Sequence, residues 1–203
     1  MRPELFSATS ICDGSADLLA LVAAHQGEPL FYMERRGLTV AGVGSAAEIV
    51  STGPRRFVEA SREALALLFS IRSAGGFAAD RLVLGGFAFS DEPRTRAEWR
   101  EFPPLRLFVP RLLWIREAGQ CRFTRTWAAG SPETGQKAPA PSAAATAGIE
   151  LKSSANPRER ELWRRRVECA CNLIAAGALN KVVAARRIEL FAAGRIDPAP
   201  LVA

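Results

Sequence analysis

The chain has 203 residues, 48% of them hydrophobic and 24% charged, which is enough apolar material to close a core and too much for a disordered segment. Its net charge of +6 rests on 24 arginines and three lysines, and the arginines are scattered without a recognition motif, so no nucleic-acid partner is expected. The longest apolar run, Leu18 to Ala24, is too short to span a bilayer and no signal peptide opens the chain, so no membrane partner and a cytoplasmic location are expected.

The elements follow in chain order. Residues 29–44 alternate as a hairpin: Leu30 to Glu34, a turn at Arg35-Arg36-Gly37, then Leu38 to Val43. Gly42-Val43-Gly44-Ser45-Ala46-Ala47 has the G-x-G-x-x-A spacing of a dinucleotide-binding turn, which needs a parallel strand before it and a helix opening at the second glycine. Here the strand is a hairpin arm and the next helix starts near residue 55, so the glycines read as a strand end and a bend. That helix is predicted over 55–70, with Pro54 at its start and Phe57, Ala60, Ala64, Leu65 and Leu68 on one apolar face. Strands are predicted at 82–89, 105–116 and 121–127, the last two joined by a turn at Glu117 to Gln120, with Pro110 marking an edge or a bulge.

From Ala128 to Gly148 no aromatic or branched aliphatic side chain is available for burial. Residues 128–155 therefore read as an Ala/Pro-rich flexible linker between a sheet-rich part, 1–127, and a second part, 156–203. The second part opens with Asn156-Pro157-Arg158-Glu159, a helix start, and Trp163, Val167, Ala170, Cys171, Ile174 and Ala178 form the stripe of a helix packed on a core. Gly177 lies where that helix loosens. Lys181 to Leu190 alternates as a strand, which sets Lys181 at its start. Asp197-Pro198 begins another helix only five residues before the last residue, a pattern expected of a truncated fragment.

Candidate chemistry is sparse. Cysteines at 12, 121, 169 and 171 make no C-x-x-C pair and read as buried free thiols without metal or disulfide roles, and His25 is the single histidine, read as a loop or surface residue. Lys181 stands out because this chain writes 24 of its 27 cationic side chains as arginine. An arginine stays protonated, whereas a lysine in a dry site can accept a proton and act as a general base. Lys137 and Lys152 lie in or beside the low-complexity stretch.

Gly85-Gly86-Phe87-Ala88-Phe89, Glu98-Trp99 to Phe102-Pro103, Leu107-Phe108-Val109-Pro110-Arg111, Trp163 with Val167, and Ile174-x-x-Gly177-x-Leu179-x-Lys181-Val182-Val183-x-Ala185-Arg186 together resemble the isochorismate synthases. The likeness is to the menaquinone-pathway branch of the chorismate-utilising enzymes. It runs from about residue 30 to 200, apart from the Ala/Pro segment. One departure is Ala184, where the family usually has leucine.

The resemblance implies an α+β fold of packed antiparallel sheets with outer helices, incomplete in this chain. It implies chorismate as substrate, water added at C2 as the C4 hydroxyl departs, and Lys181 as the general base. A glutamate acid and Mg2+ held by further glutamates are implied to belong to a C-terminal part this chain lacks, so the fragment alone is expected to be inactive. Relatives that use ammonia generally carry glutamine at the lysine position, which turns the expectation toward water. A salicylate synthase, which goes on to eliminate pyruvate, and a non-catalytic binding module are the alternatives. An uncovered core face is expected to drive self-association of the isolated chain.

Overall fold

The computed structural model describes residues 4–25, 27–74, 80–90, 102–131, 151–153 and 156–192. The chain divides into two compact units that part at Ala144–Ala145. The first unit begins with β1 (Leu5–Cys12), α1 (Leu18–Ala23), β2 (Leu30–Arg35), β3 (Leu38–Val43) and β4 (Ala47–Ser51). It continues with α2 (Arg56–Ser70), β5 (Arg72–Ser73), β6 (Leu84–Phe87), β7 (Leu105–Val109), β8 (Leu112–Glu117) and β9 (Gln120–Ala128).

A six-stranded sheet runs in the order β2-β3-β8-β9-β1-β5, antiparallel except for the β1–β5 pair. Both of its tight turns are of the kind whose twist matches paired strands, with positive φ at both central residues. Arg36 and Gly37 take φ 46° and 82° between β2 and β3, and Ala118 and Gly119 take 49° and 80° between β8 and β9. A smaller sheet has the order β4-β7-β6.

Alternation along β3 and β8 sends side chains into two separate cores. Ala41, Val43, Trp114, Cys121 and Phe123 pack under α1 with its Leu18, Leu21 and Val22. From the opposite face, Val40, Leu113 and Ile115 meet Leu84 and Phe108 of the smaller sheet. The smaller sheet then uses its far face, through Ile49, Leu105 and Val109, to bury Ala60 and Leu67 of α2. The first unit is thus layered helix, sheet, sheet, helix. Gly42 sits where the two sheets approach, since a Cβ there would stand 2.5 Å from Leu84 Cδ1. Gly44, with φ 66°, makes the bend that leads into β4. No helix follows directly, which removes the nucleotide-turn reading.

Several expectations are corrected by this packing. The single strand expected over 105–116 is two strands, because Pro110 is fully buried at the point where the chain leaves the small sheet for the large one. Arg111 N–H then donates to Val43 O at 3.1 Å, and the Arg111 guanidinium pairs with Glu28 beside Gly44. In α2 the buried positions are Arg56, Ala60 and Leu67, while Phe57 and Leu65 are exposed. Arg56 reaches inward to donate to Gly53 O at 3.2 Å and Ala88 O at 3.3 Å, and Phe57 turns outward to meet Phe87 edge-on at 5.0 Å. Elements absent from the sequence reading are β1, α1, β4 and β5. In β1 the inward positions include Ser7, and Thr9 bonds Thr124 hydroxyl to hydroxyl at 2.7 Å, so hydrophobic alternation is broken.

Gly85 is the tightest point of the small sheet, with φ 150° and a notional Cβ 2.1 Å from Arg106 O and 2.9 Å from Leu107 Cα. The obstacle is backbone of the central strand and cannot rotate away. Gly85→Ala is expected to cost about 2–3 kcal/mol of stability, read as a lowered denaturation midpoint, whereas Gly86→Ala, with open space around its Cβ, is expected to cost far less.

The second unit contains β10 (Leu151–Ser153), α3 (Pro157–Ala175) and β11 (Leu190–Ala192). β10 lies inside the segment read as a linker and pairs antiparallel with β11; residues 132–150 and 154–155 lie outside the described residues, as do Glu98-Trp99 and Asp197-Pro198. Helix α3 starts as its sequence dictates, with the Asn156 side chain accepting from Arg158 N–H at 2.8 Å and Pro157 in the first turn. Its expected packing is not formed. No residue of α3 is buried, and Leu162, Val167, Leu173 and Ile174 are exposed.

Candidate active site at Lys181

Lys181 is placed by the end of α3. Gly177, with φ 72°, donates from its N–H to Ile174 O at 3.0 Å, while Ala178 N–H donates to Leu173 O at 2.9 Å. These are the two bonds of a Schellman stop, which reverses the chain and satisfies the last helical carbonyls. Four residues later comes Lys181. Gly177→Ala is expected to destabilise this stop by about 1–2 kcal/mol, because an L residue resists positive φ. The loss should appear as faster amide exchange at Ala176 to Ala178.

The strand expected over 181–190 is not formed. Residues 181–189 carry the right alternation yet have no paired neighbour among the described residues, where β11 pairs with β10. A strand is half of a hydrogen-bonded pair, so sequence pattern without a partner leaves an unpaired segment. Lys181 itself is exposed, as are Val182 and Val183. Among the described residues it makes no ion pair or side-chain hydrogen bond, and the nearest charged pair along the chain is Arg187 with Glu189, 2.9 Å. The described residues therefore present the amine without enclosing it.

The site was also expected to need a cation. Among the described residues no group of three His, Cys, Asp or Glu side chains comes together to hold one. No described helix is long and apolar enough to cross a membrane.

The first unit holds a concavity of about 470 Å³ that the sequence reading did not find. Leu30, Phe31, Phe87, Phe102 and Phe108 line it, with the backbone of Gly85 and Gly86 as one wall. Its cation is Arg106, bound to Glu48 at 2.7 Å. The signal for it in the sequence is the glycine pair of Gly85-Gly86-Phe87, which permits a close backbone approach, and Gly85 makes one. With the Arg106 charge paired to Glu48, the described lining of this hollow offers mainly apolar contact. Elsewhere in the first unit, burial and the Glu34 carboxylate push the Tyr32 hydroxyl up to about 12, and its O–H donates to Glu34 at 2.6 Å.

Layered antiparallel sheets with helices on their outer faces, followed by a capped helix that ends shortly before a lysine, define a mixed α+β protein. The family model described as chorismate binding enzyme matches residues 1–203, and the chain belongs to that family. Among solved structures it is similar to MenF, the menaquinone-specific isochorismate synthase from Escherichia coli, at 20% identity and a TM-score of 0.58. That match covers 97% of this chain and 44% of MenF, so the chain spans less than half the length of that relative. Among curated proteins none matches it.

Proposed function

We propose that this chain supplies the general base of an isochorismate synthase. Lys181 takes a proton from water as the water oxygen bonds to C2 of chorismate, the ring double bonds shift, and the C4 hydroxyl leaves with a proton from a general acid. Water is consumed at C2 and released from C4, so the step is an isomerisation. The observation that carries this reading is Lys181, one of three lysines against 24 arginines, within Lys181-Val182-Val183-Ala184-Ala185-Arg186 of a chain matched to the family over its whole length.

The remaining groups come from outside these residues on this reading: the acid, the Mg2+ ligands and the strand that pairs with 181–189. Mg2+ would offset charge at the substrate carboxylate, and no residue of this chain is assigned to it. The exposed Lys181 and the uncovered stripe of α3 fit a half-site completed by further polypeptide. Alone, the chain is expected to be inactive and to self-associate through that stripe.

The test is to assay chorismate conversion by the chain alone and by the chain co-expressed with the portion of a MenF-type enzyme that it does not span. Isochorismate formed only in the second case supports the reading. Pyruvate and salicylate among the products would shift it to a salicylate synthase. No conversion by a stable assembled complex would favour a non-catalytic module, the reading that the exposure of Lys181 by itself supports.

A further inference from the structure

We propose that Cys12 and Cys121 are a redox modification site, closed to a disulfide by a small-molecule disulfide such as oxidised glutathione. The two residues are direct partners in the antiparallel register of β1 and β9. Facing residues in such a pair have Cα atoms about 4.5 or 5.5 Å apart, and both spacings lie within the range a disulfide spans. Their sulfurs are already 2.6 Å apart, against about 2.05 Å for the covalent bond, so closure needs the two sulfurs to approach by only about half an ångström. The remaining cysteines cannot do the same. Cys169 and Cys171 are exposed, and two residues apart on α3 they do not face each other.

Access sets the order of events. Cys121 is buried and Cys12 only half-buried, so the reagent meets Cys12 first. The Cys12 thiolate attacks the reagent disulfide and forms a mixed disulfide, releasing one reagent thiolate. The Cys121 thiolate then attacks the Cys12 sulfur and releases the second. Two protein S–H bonds are lost, one S–S bond is made, and the reagent disulfide is reduced to two thiols. Burial first, then the Cys121 thiol and the Asp13 carboxylate, push the Cys12 thiol up to about 12, so little thiolate is present at neutral pH and closure is slow.

The bond would join residues 109 positions apart and pin β1, a strand whose inward pattern is weakened by Ser7 and Thr9, to the middle of the sheet. Restricting so long a loop in the unfolded chain is expected to raise Tm by roughly 10 °C.

The experiment incubates the reduced full chain with oxidised glutathione, blocks free thiols with an alkylating reagent and maps peptides by mass spectrometry, with Tm measured in parallel. The expected product contains a peptide linking Cys12 to Cys121 that is lighter by two hydrogen atoms than the two reduced peptides together, melts higher by that amount, and reverts with dithiothreitol, whatever glutathione the exposed Cys169 and Cys171 carry. Cys121→Ser should stop at a mixed disulfide on Cys12, and a Cys169→Ser/Cys171→Ser double variant should still close. Should Cys12 and Cys121 both remain alkylatable after Cys169 and Cys171 have reacted, or should the linked peptides be intermolecular, the proposal is overturned. The wild-type map decides this even if a serine variant fails to fold.

Discussion

Lys181→Gln in the completed enzyme is expected to lower kcat for chorismate conversion by about 10²–10⁴-fold, the usual contribution of a positioned general base. Glutamine keeps length and polarity while losing the lone pair that accepts the proton. Lys181→Arg is expected to lose as much, because a guanidinium stays protonated at any working pH; that variant separates a base from a fixed positive charge. If the lysine acts only as the bond to C2 forms, kcat and kcat/KM fall together and KM changes little. A rise in KM with kcat preserved would mean that the amine merely binds the substrate carboxylate. The rate limb that depends on a deprotonated base should also vanish from the pH profile of both variants, which loss of fold would not mimic.

The largest effect expected on stability comes from Trp114→Ala. Trp114 is 1% exposed, lies against Phe123 with ring centroids 5.0 Å apart, and shares its core with Leu18, Leu21 and Val22 of α1. Emptying that volume is expected to cost about 3–5 kcal/mol, a large part of the 5–15 kcal/mol that holds a typical domain together. In a chain of this size the loss corresponds to a Tm lower by roughly 10–15 °C. Trp114→Phe should recover more than half of it. Equal midpoints for wild type and Trp114→Ala in urea would mean that the first core does not depend on this ring.

The parts of the fold legible in sequence are those governed by neighbours along the chain. The turn at Arg36-Gly37 shows itself because glycine accepts positive φ, and the β2–β3 hairpin follows from it. Asn156-Pro157 and Gly177 bracket α3 through capping bonds within a few residues of each other. Helix α2 was legible in extent, 56–70 against 55–70, and in part of its inner face: Ala60, Ala64 and Leu68 pack on the core as expected, whereas Phe57 and Leu65 are exposed and Arg56 and Leu67 are buried instead. Arg56 hid among the apparently polar positions because its carbonyl partners, Gly53 and Ala88, become visible only when the chain is folded. Asp17 accepts from Ala20 N–H at 3.0 Å and starts α1, but six residues give too short a period for a pattern.

The candidate site follows the same division. That Lys181 is chemically distinct from 24 arginines, and that it comes just after a helix stop, could be read from residue types alone. Whether it is enclosed could not, since burial is a property of the surfaces around it, and the described residues leave it exposed. The Cys12–Cys121 approach was hidden for a related reason: spacing of 109 residues says nothing until strand register brings the two positions opposite one another.

By itself the sequence determined local geometry and chemical identity: turns, caps, helix extents and a lysine just past a helix stop in a chain dominated by arginine. Tertiary structure alone decided the change of sheet at Pro110, the burial of Arg56 in α2, the opposition of two cysteines and the unpaired state of residues 181–189 among the described residues. Turns and caps are satisfied by atoms a few bonds away, whereas a buried face or a paired strand exists only when a distant segment supplies the other half.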